Sequence, residues 1–311
     1  MLQLMNKIVF VTRATQESGK GHFFRVVRMI KSLYKNYNCT LVVDKDAIAG
    51  NERFKCHPFD ENHPERLVRE LDLSSGDLIW FDIPDLQYQI LKRFTGLGIP
   101  LVSTNMFEKI GEERYEDLAV YPVFERYKKS LVGGKTLQLS GSDLISIPEE
   151  FFSKGESKYP QVLVSMGGTD PMDFTPLVLK AISKIGPSKY KFKVILPKGS
   201  SDEKILNEYK SCSHIELYEF GSIDFAKTLK SSEYAIINGG MTRYECIAAK
   251  TFFVALSIHD LQASLSEKVT KYGLGENFGV FNEKEIKRLS LLLSSLPLSP
   301  GNAQFDDEIP V

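Results

Sequence analysis

Apolar residues in this chain fall into short runs of four to six, each followed by a longer stretch with apolar positions at helical spacing. In the first half the runs lie near 7–12, 39–43, 77–82 and 99–103, with helical patterns near 22–35, 63–72 and 84–96 between them. The first run, Ile8-Val9-Phe10-Val11, leads through a glycine-containing turn to Val26, Val27, Met29, Ile30 and Leu33. The second half repeats the theme, with strands near 162–166, 193–196, 215–218, 234–238 and 252–255 and helices near 173–185, 201–211, 223–231 and 241–249. Such alternation suits parallel β-α units. It predicts an α/β protein of two Rossmann-like, doubly wound domains facing one another across a cleft.

The break between the halves is expected at 141–160, where Pro148, Gly155 and Pro160 stand among Ser, Glu and Lys and interrupt any continuous element. This gives an N-terminal domain over 1–140, a linker over 141–160, a second domain over 161–290 and a tail over 291–311. From Pro297 onward that tail reads as poorly ordered. Length agrees with two domains: 311 residues, 42% of them apolar and 25% charged, supply two ordinary cores.

Charge narrows the partners. Lys+Arg 39 against Asp+Glu 40 leaves a formal net charge of −1, so no global field recruits nucleic acid or an anionic membrane. Cys39, Cys56, Cys212 and Cys246 are scattered, without a C-x-x-C pair or a metal-like grouping with histidine, and read as reduced thiols; no metal and no cofactor is called for. The N-terminus lacks the pattern of a signal peptide, and no stretch approaches the roughly 20 apolar residues of a spanning helix. The expectation is a cytoplasmic protein without stable membrane insertion, of unspecified oligomeric state.

Three segments carry candidate chemistry. Ser18-Gly19-Lys20-Gly21-His22-Phe23-Phe24-Arg25 joins the first strand to the first helix. Gly19 and Gly21 let backbone amides approach a ligand, the helix start favours an anion, and His22 at the same edge is a side chain suited to general-base work near neutral pH. By itself such a loop is equally a tight turn, and such a histidine equally a packing residue. In the second segment, Ser165-Met166-Gly167-Gly168-Thr169-Asp170-Pro171, a buried strand ends in a glycine pair at the sheet edge where open α/β folds bind ligands, and Thr169 and Asp170 are also natural helix caps. In the third, Asn238-Gly239-Gly240-Met241-Thr242-Arg243-Tyr244-Glu245, a carboxylate about one turn into a helix is placed either to accept hydrogen bonds from a ribose diol or to complement the helix N-terminus.

Taken in order, Gly-x-Gly-His-x-x-Arg, Ser-Met-Gly-Gly-Thr-Asp-Pro and Asn-Gly-Gly-Met-Thr-x-x-Glu resemble the UDP-sugar hydrolase of pseudaminic acid biosynthesis and the related spore-coat polysaccharide proteins. That family is similar in fold to GT-B glycosyltransferases, and the resemblance spans roughly residues 6 to 280. It implies hydrolysis of a UDP-linked acylamino-deoxysugar, with His22 activating water beside the anomeric carbon. It further implies substrate binding by Gly19, Gly21, Arg25, Asp82, Gly168, Thr169 and Asp170, the last three shaping the cleft floor. UDP contacts would come from Gly239, Gly240, Met241, Glu245 and Gln262. The small-molecule partner would be a UDP-sugar, with no metal demanded.

The chain departs from the family where a His-Tyr pair is replaced by Ile83-Pro84 after Asp82, and where an Asn-Gln pair is replaced by Leu261-Gln262. These changes point to an altered sugar or acceptor, and leave a GT-B glycosyltransferase and a non-catalytic nucleotide-sugar-binding protein as alternatives to the hydrolase. His57 and His63 read as solvated loop residues. His259 beside Asp260 is a candidate second titrating group.

Overall fold

The computed structural model describes residues 7–14, 21–44, 56–83, 88–105, 113–130, 134–152, 157–185, 188–197, 207–209 and 211–297. The chain divides into two compact units, Met1–Ser146 and Ile147–Val311.

Unit 1 is built on a seven-stranded parallel sheet of β1 (Lys7–Thr12), β2 (Asn38–Val43), β3 (Cys56–Pro58), β4 (Leu78–Asp82), β5 (Leu101–Thr104), β6 (Leu118–Tyr121) and β7 (Leu137–Ser140). Their spatial order is β3-β2-β1-β4-β5-β6-β7. Helices α1 (Gly21–Leu33), α2 (Pro64–Glu70) and α3 (Tyr88–Phe94) connect them. The unbroken apolar run of β1 is explained by two-sided burial. Ile8 and Phe10 pack with Phe23, Val26 and Ile30 of α1. Val9 and Val11 join Leu67, Leu91 and Phe94 from α2 and α3 on the opposite face.

Unit 2 carries a six-stranded parallel sheet of β8 (Tyr159–Ser165), β9 (Lys191–Ile195), β10 (Ile215–Tyr218), β11 (Ser232–Asn238), β12 (Phe252–Ser257) and β13 (Gly275–Val280), ordered β10-β9-β8-β11-β12-β13. Its described helices are α4 (Phe174–Ile182), α5 (Phe225–Ser231), α6 (Thr242–Ala248), α7 (Asp260–Thr270) and α8 (Ile286–Ser294). Pro160 lies inside β8, a central strand, where its missing N–H would break a ladder. The pairing of β8 with β11 shifts register between Ser232 and Tyr234, opposite that proline, which is how a bulge accommodates it.

The architecture is therefore two parallel-sheet α/β Rossmann-like domains. Several elements were not legible beforehand: β3, β6, β7, β13, α7 and α8. The segment holding His57, expected as a loop, forms the short edge strand β3 paired with β2. Helix α8 runs through residue 291, where the tail was drawn, and buries Ile286, Leu289 and Leu293 in the core of unit 2 beside Phe174, Val178 and Ile182 of α4. Most of the helix expected at 201–211, and residues 298–311, lie outside the described residues.

Because Leu289 is fully buried in that core, Leu289→Ala should cost about 2–5 kcal/mol, the range for a cavity left by a buried leucine. Urea unfolding of the full chain checks this. A loss under about 1 kcal/mol would remove α8 from the core.

Candidate functional site

In both sheets the strand order reverses direction beside the first strand, between β1 and β4 and between β8 and β11. At such a switch point the connections after the two neighbouring strands leave toward opposite faces, which opens a crevice at the carboxyl ends. The three sequence segments all fall at these two places.

At the switch point of unit 1, Asp82 ends β4 beside Thr12 of β1, and α1 brings His22 and Arg25 to it. Positions 22 and 25 are three apart on a helix and so share a face. His22 Nδ1 lies 2.6 Å from Asp82 Oδ1, and Arg25 donates from Nε to Oδ2 at 2.6 Å and from Nη2 to Oδ1 at 2.5 Å. Asp82 is 0% exposed and Arg25 4%. Burial pushes the Asp82 carboxyl up, but the charge of Arg25 and the hydrogen bonds from Arg25 and His22 override it and hold the group well below the usual carboxylate range.

The pairing also assigns the imidazole tautomer. Nδ1 is 2.9 Å from Arg25 Nη2 as well, but arginine has no acceptor, and one ring nitrogen cannot both donate to Asp82 and accept from Arg25. The carboxylate is closer and anionic, so Nδ1 carries the proton and donates it to Asp82. Nε2 is left with its lone pair. A partly exposed imidazole held in this way is equipped to take a proton from a bound hydroxyl or water, with Asp82 stabilising the imidazolium formed.

Arg25 and Asp82, expected among the substrate-binding residues, are buried against each other and hold His22 in place. Gly21 opens α1 in free space, so no close contact requires a glycine there. Gly19 and Pro84 lie outside the described residues; Ile83 is buried in the core.

At the switch point of unit 2, two glycine-containing turns stand side by side after β8 and β11. Gly167 has φ +90°, a conformation that favours glycine. Asn238 ties the turns together: its Nδ2 donates to Met166 O at 2.9 Å, and its Oδ1 accepts from Gly240 N at 3.2 Å. Gly239 packs so closely on β12 that a Cβ there would lie 2.5 Å from Ser257 Oγ. A Cβ on Gly168 would meet the ring of Phe220, which is 48% exposed, at 3.2 Å. Thr169 and Met241 stand half-buried in the two turns. Glu245 is buried in α6, and Arg243, 1% exposed, donates to Gly239 O.

Of the two readings of Asp170, helix cap and substrate contact, the structure shows the cap: the residue is buried, and its carboxylate oxygens accept from Phe174 N at 2.9 Å and Thr175 N at 2.7 Å at the start of α4. Gln262 folds back to accept from Ile258 N at 3.0 Å while its own N–H donates to His259 Nδ1, a reciprocal cap at the start of α7. His259 is thereby a helix cap. Asn238, Phe220, Arg243 and Ser257 were not singled out by sequence reasoning. Asn238 alone left a signal, as a carboxamide at a strand end directly before Gly-Gly. No grouping of three metal-ligating side chains occurs among the described residues, and no helix among them is long and apolar enough to cross a membrane.

Comparison with known proteins agrees with the fold. Among solved structures, the glycotransferase of kitacinnamycin superposes with a TM-score of 0.64 at 12% identity, covering 95% of this chain and 92% of that one. The fold is GT-B-like. Anabaena Alr3699/HepE, solved in complex with UDP, gives a TM-score of 0.60 at 10% identity over 92% of this chain and 89% of its own. In sequence, the chain is 25% identical over 302 residues to the spore coat polysaccharide biosynthesis protein SpsG of Bacillus subtilis, covering 91% of this chain and 87% of that protein. No family model matches the chain.

Two outcomes follow from the geometry. Gly239→Ala should destabilise the protein by roughly 1–3 kcal/mol through the clash with Ser257 Oγ, and adding Ser257→Gly should recover much of that loss. No recovery in the double variant, read by urea unfolding, would mean the turn is not held by this contact. Asp82 has a lowered folded-state value, so its ionic contribution is present above the unfolded carboxyl value of about 3.9 and is lost as pH falls below it. The stability gap between the wild type and Asp82→Asn should therefore shrink as pH falls below about 4. A gap independent of pH down to acid unfolding would contradict the buried ionised pairing.

Proposed function

We propose that this protein hydrolyses a UDP-linked acylamino-deoxysugar of the 2,4-diacetamido-2,4,6-trideoxyhexose type, releasing UDP and free sugar in nonulosonic acid or surface polysaccharide biosynthesis. The observation that carries the reading is the His22–Asp82 pair, with its proton on Nδ1 and a free Nε2, at the switch point of unit 1. The GT-B-like fold, with UDP present in one solved relative of that fold, and the sequence similarity to a spore coat polysaccharide biosynthesis protein support a nucleotide-sugar enzyme. The family resemblance of the glycine-histidine segment supports water as the nucleophile.

In this reading the two units divide the work. Unit 2 holds UDP at the Asn238-bridged turns, with Gly239, Gly240, Met241 and Glu245 as its nucleotide contacts, and with Gly168, Thr169 and Gln262 shaping the adjoining loops. Unit 1 supplies His22. Nε2 takes a proton from water, the water oxygen bonds to the anomeric carbon, and the bond from that carbon to the diphosphate oxygen breaks with its electron pair leaving on UDP. Attack opposite the leaving group inverts the anomeric centre. The same base would serve equally to deprotonate a sugar or lipid hydroxyl, which makes transfer to an acceptor the competing reading.

Incubation with a UDP-linked diacetamido-trideoxyhexose and no acceptor should release UDP and free sugar in equal amounts, with proton NMR showing the inverted anomer first. His22→Asn should lower turnover by about a hundredfold or more while leaving UDP affinity unchanged, since only the proton transfer is lost. UDP release across a donor panel only when a glycan or lipid acceptor is added would transfer the assignment to a glycosyltransferase. Undiminished turnover in a folded His22→Asn protein would end the role of His22.

A further inference from the structure

Arg243 is among the largest side chains buried below 2% exposure in the described chain, and its charge is not neutralised there. Nη1 donates to Gly239 O at 2.5 Å, Nη2 reaches Tyr244 OH at 3.3 Å, and the guanidinium carbon lies 4.6 Å from the Tyr244 ring centroid. Nε is buried with no partner. Among the described residues no carboxylate lies within ion-pair distance of this group. The other deeply buried arginines are treated differently: Arg25 is paired with Asp82, and Arg114 with Glu116. An arginine carries its charge in any protein environment, and burying that charge without a counter-ion is destabilising. A carbonyl dipole and a cation–π contact offset only part of that.

The location says what completes it. Arg243 is fastened to the carbonyl of Gly239, inside the turn that Asn238 joins to the Met166–Gly168 loop, so the cation sits directly beneath the switch-point turns of unit 2. The geometry points to Arg243 as the fixed positive charge for a diphosphate: the chain leaves this cation unneutralised, and the ligand's anion supplies the missing counter-charge without touching it. The inference rests on the reading of unit 2 as the nucleotide half, and makes Arg243 a positioning residue that selects for phosphate on the ligand. Because the guanidinium is shielded by protein, bulk salt screens its interaction far less than it would a surface lysine's.

Calorimetry on the full-length protein with UDP and with uridine tests this. Arg243→Gln keeps a donor for Gly239 O and removes the charge; it should weaken UDP by at least about tenfold and leave uridine within about twofold. Arg243→Lys, which keeps the charge, should recover most of the UDP affinity. In the wild type, UDP binding should change by less than about threefold between 0.1 and 1 M sodium chloride, a measurement that needs no variant to fold. Parallel loss of UDP and uridine in Arg243→Gln would make the residue a structural strut, and a steep salt dependence in the wild type would place the diphosphate charge partner on the surface; either overturns the inference while leaving the nucleotide half intact. Wild-type protein that binds neither UDP nor uridine would overturn the nucleotide reading itself, and the inference with it.

Discussion

Each half of this protein depends on the hydrogen-bonded pairing of its first strand with its fourth. β1 lies against β4 in register from Ile8 opposite Leu78 to Thr12 opposite Asp82, and β8 lies against β11 with Ser165 opposite Ile237. Inserting the fourth strand beside the first, instead of beyond the third, sends consecutive connections to opposite sides of the sheet. The crevice this leaves is where backbone turns can be exposed without exposing the core. The His22–Asp82 pair and the Asn238-bridged turns are anchored at the ends of these four strands.

The two crevices are furnished in different ways. That of unit 1 is built from side chains: an aspartate with no exposure, a bidentate arginine and an imidazole whose proton position follows from the other two. A buried carboxylate is tolerated there because two donors converge on it, and the same convergence fixes the histidine ring. The crevice of unit 2 is built from backbone. Gly239 is demanded there by its close approach to Ser257, and the two turns are joined through one carboxamide.

A second buried polar grouping in unit 1 shows the same economy of charge without chemistry. Ser103 donates to Glu116, Asn105 donates to Ser103, and Arg114 bonds both Glu116 and Asn105 at the ends of β5 and β6. The charge of Arg114 is matched by Glu116 within this network, which joins β5 to β6. Arg243 in unit 2 stands out by contrast with it.

The alternation of apolar runs and amphipathic stretches was enough to establish two α/β halves and to mark the three glycine segments, because strand burial on both faces and glycine turns are written locally in the chain. Short or half-exposed elements escaped: β7 alternates exposed and half-buried residues, and β3 spans three residues, so neither carries a periodic signal. Candidate residues were found more reliably than their roles. His22, Arg25 and Asp82 are all legible as candidates, but sixty positions separate His22 from Asp82, and only the folded sheet shows that Asp82 bonds the histidine and arginine. Asp170 and Gln262 make helix-cap bonds, and a carboxylate or carboxamide near a helix start reads alike as a cap or as a ligand contact. Residue type, spacing and turn chemistry are properties of the chain; which polar group is left unpaired is a property of packing, and in this protein packing decided which groups are free to act.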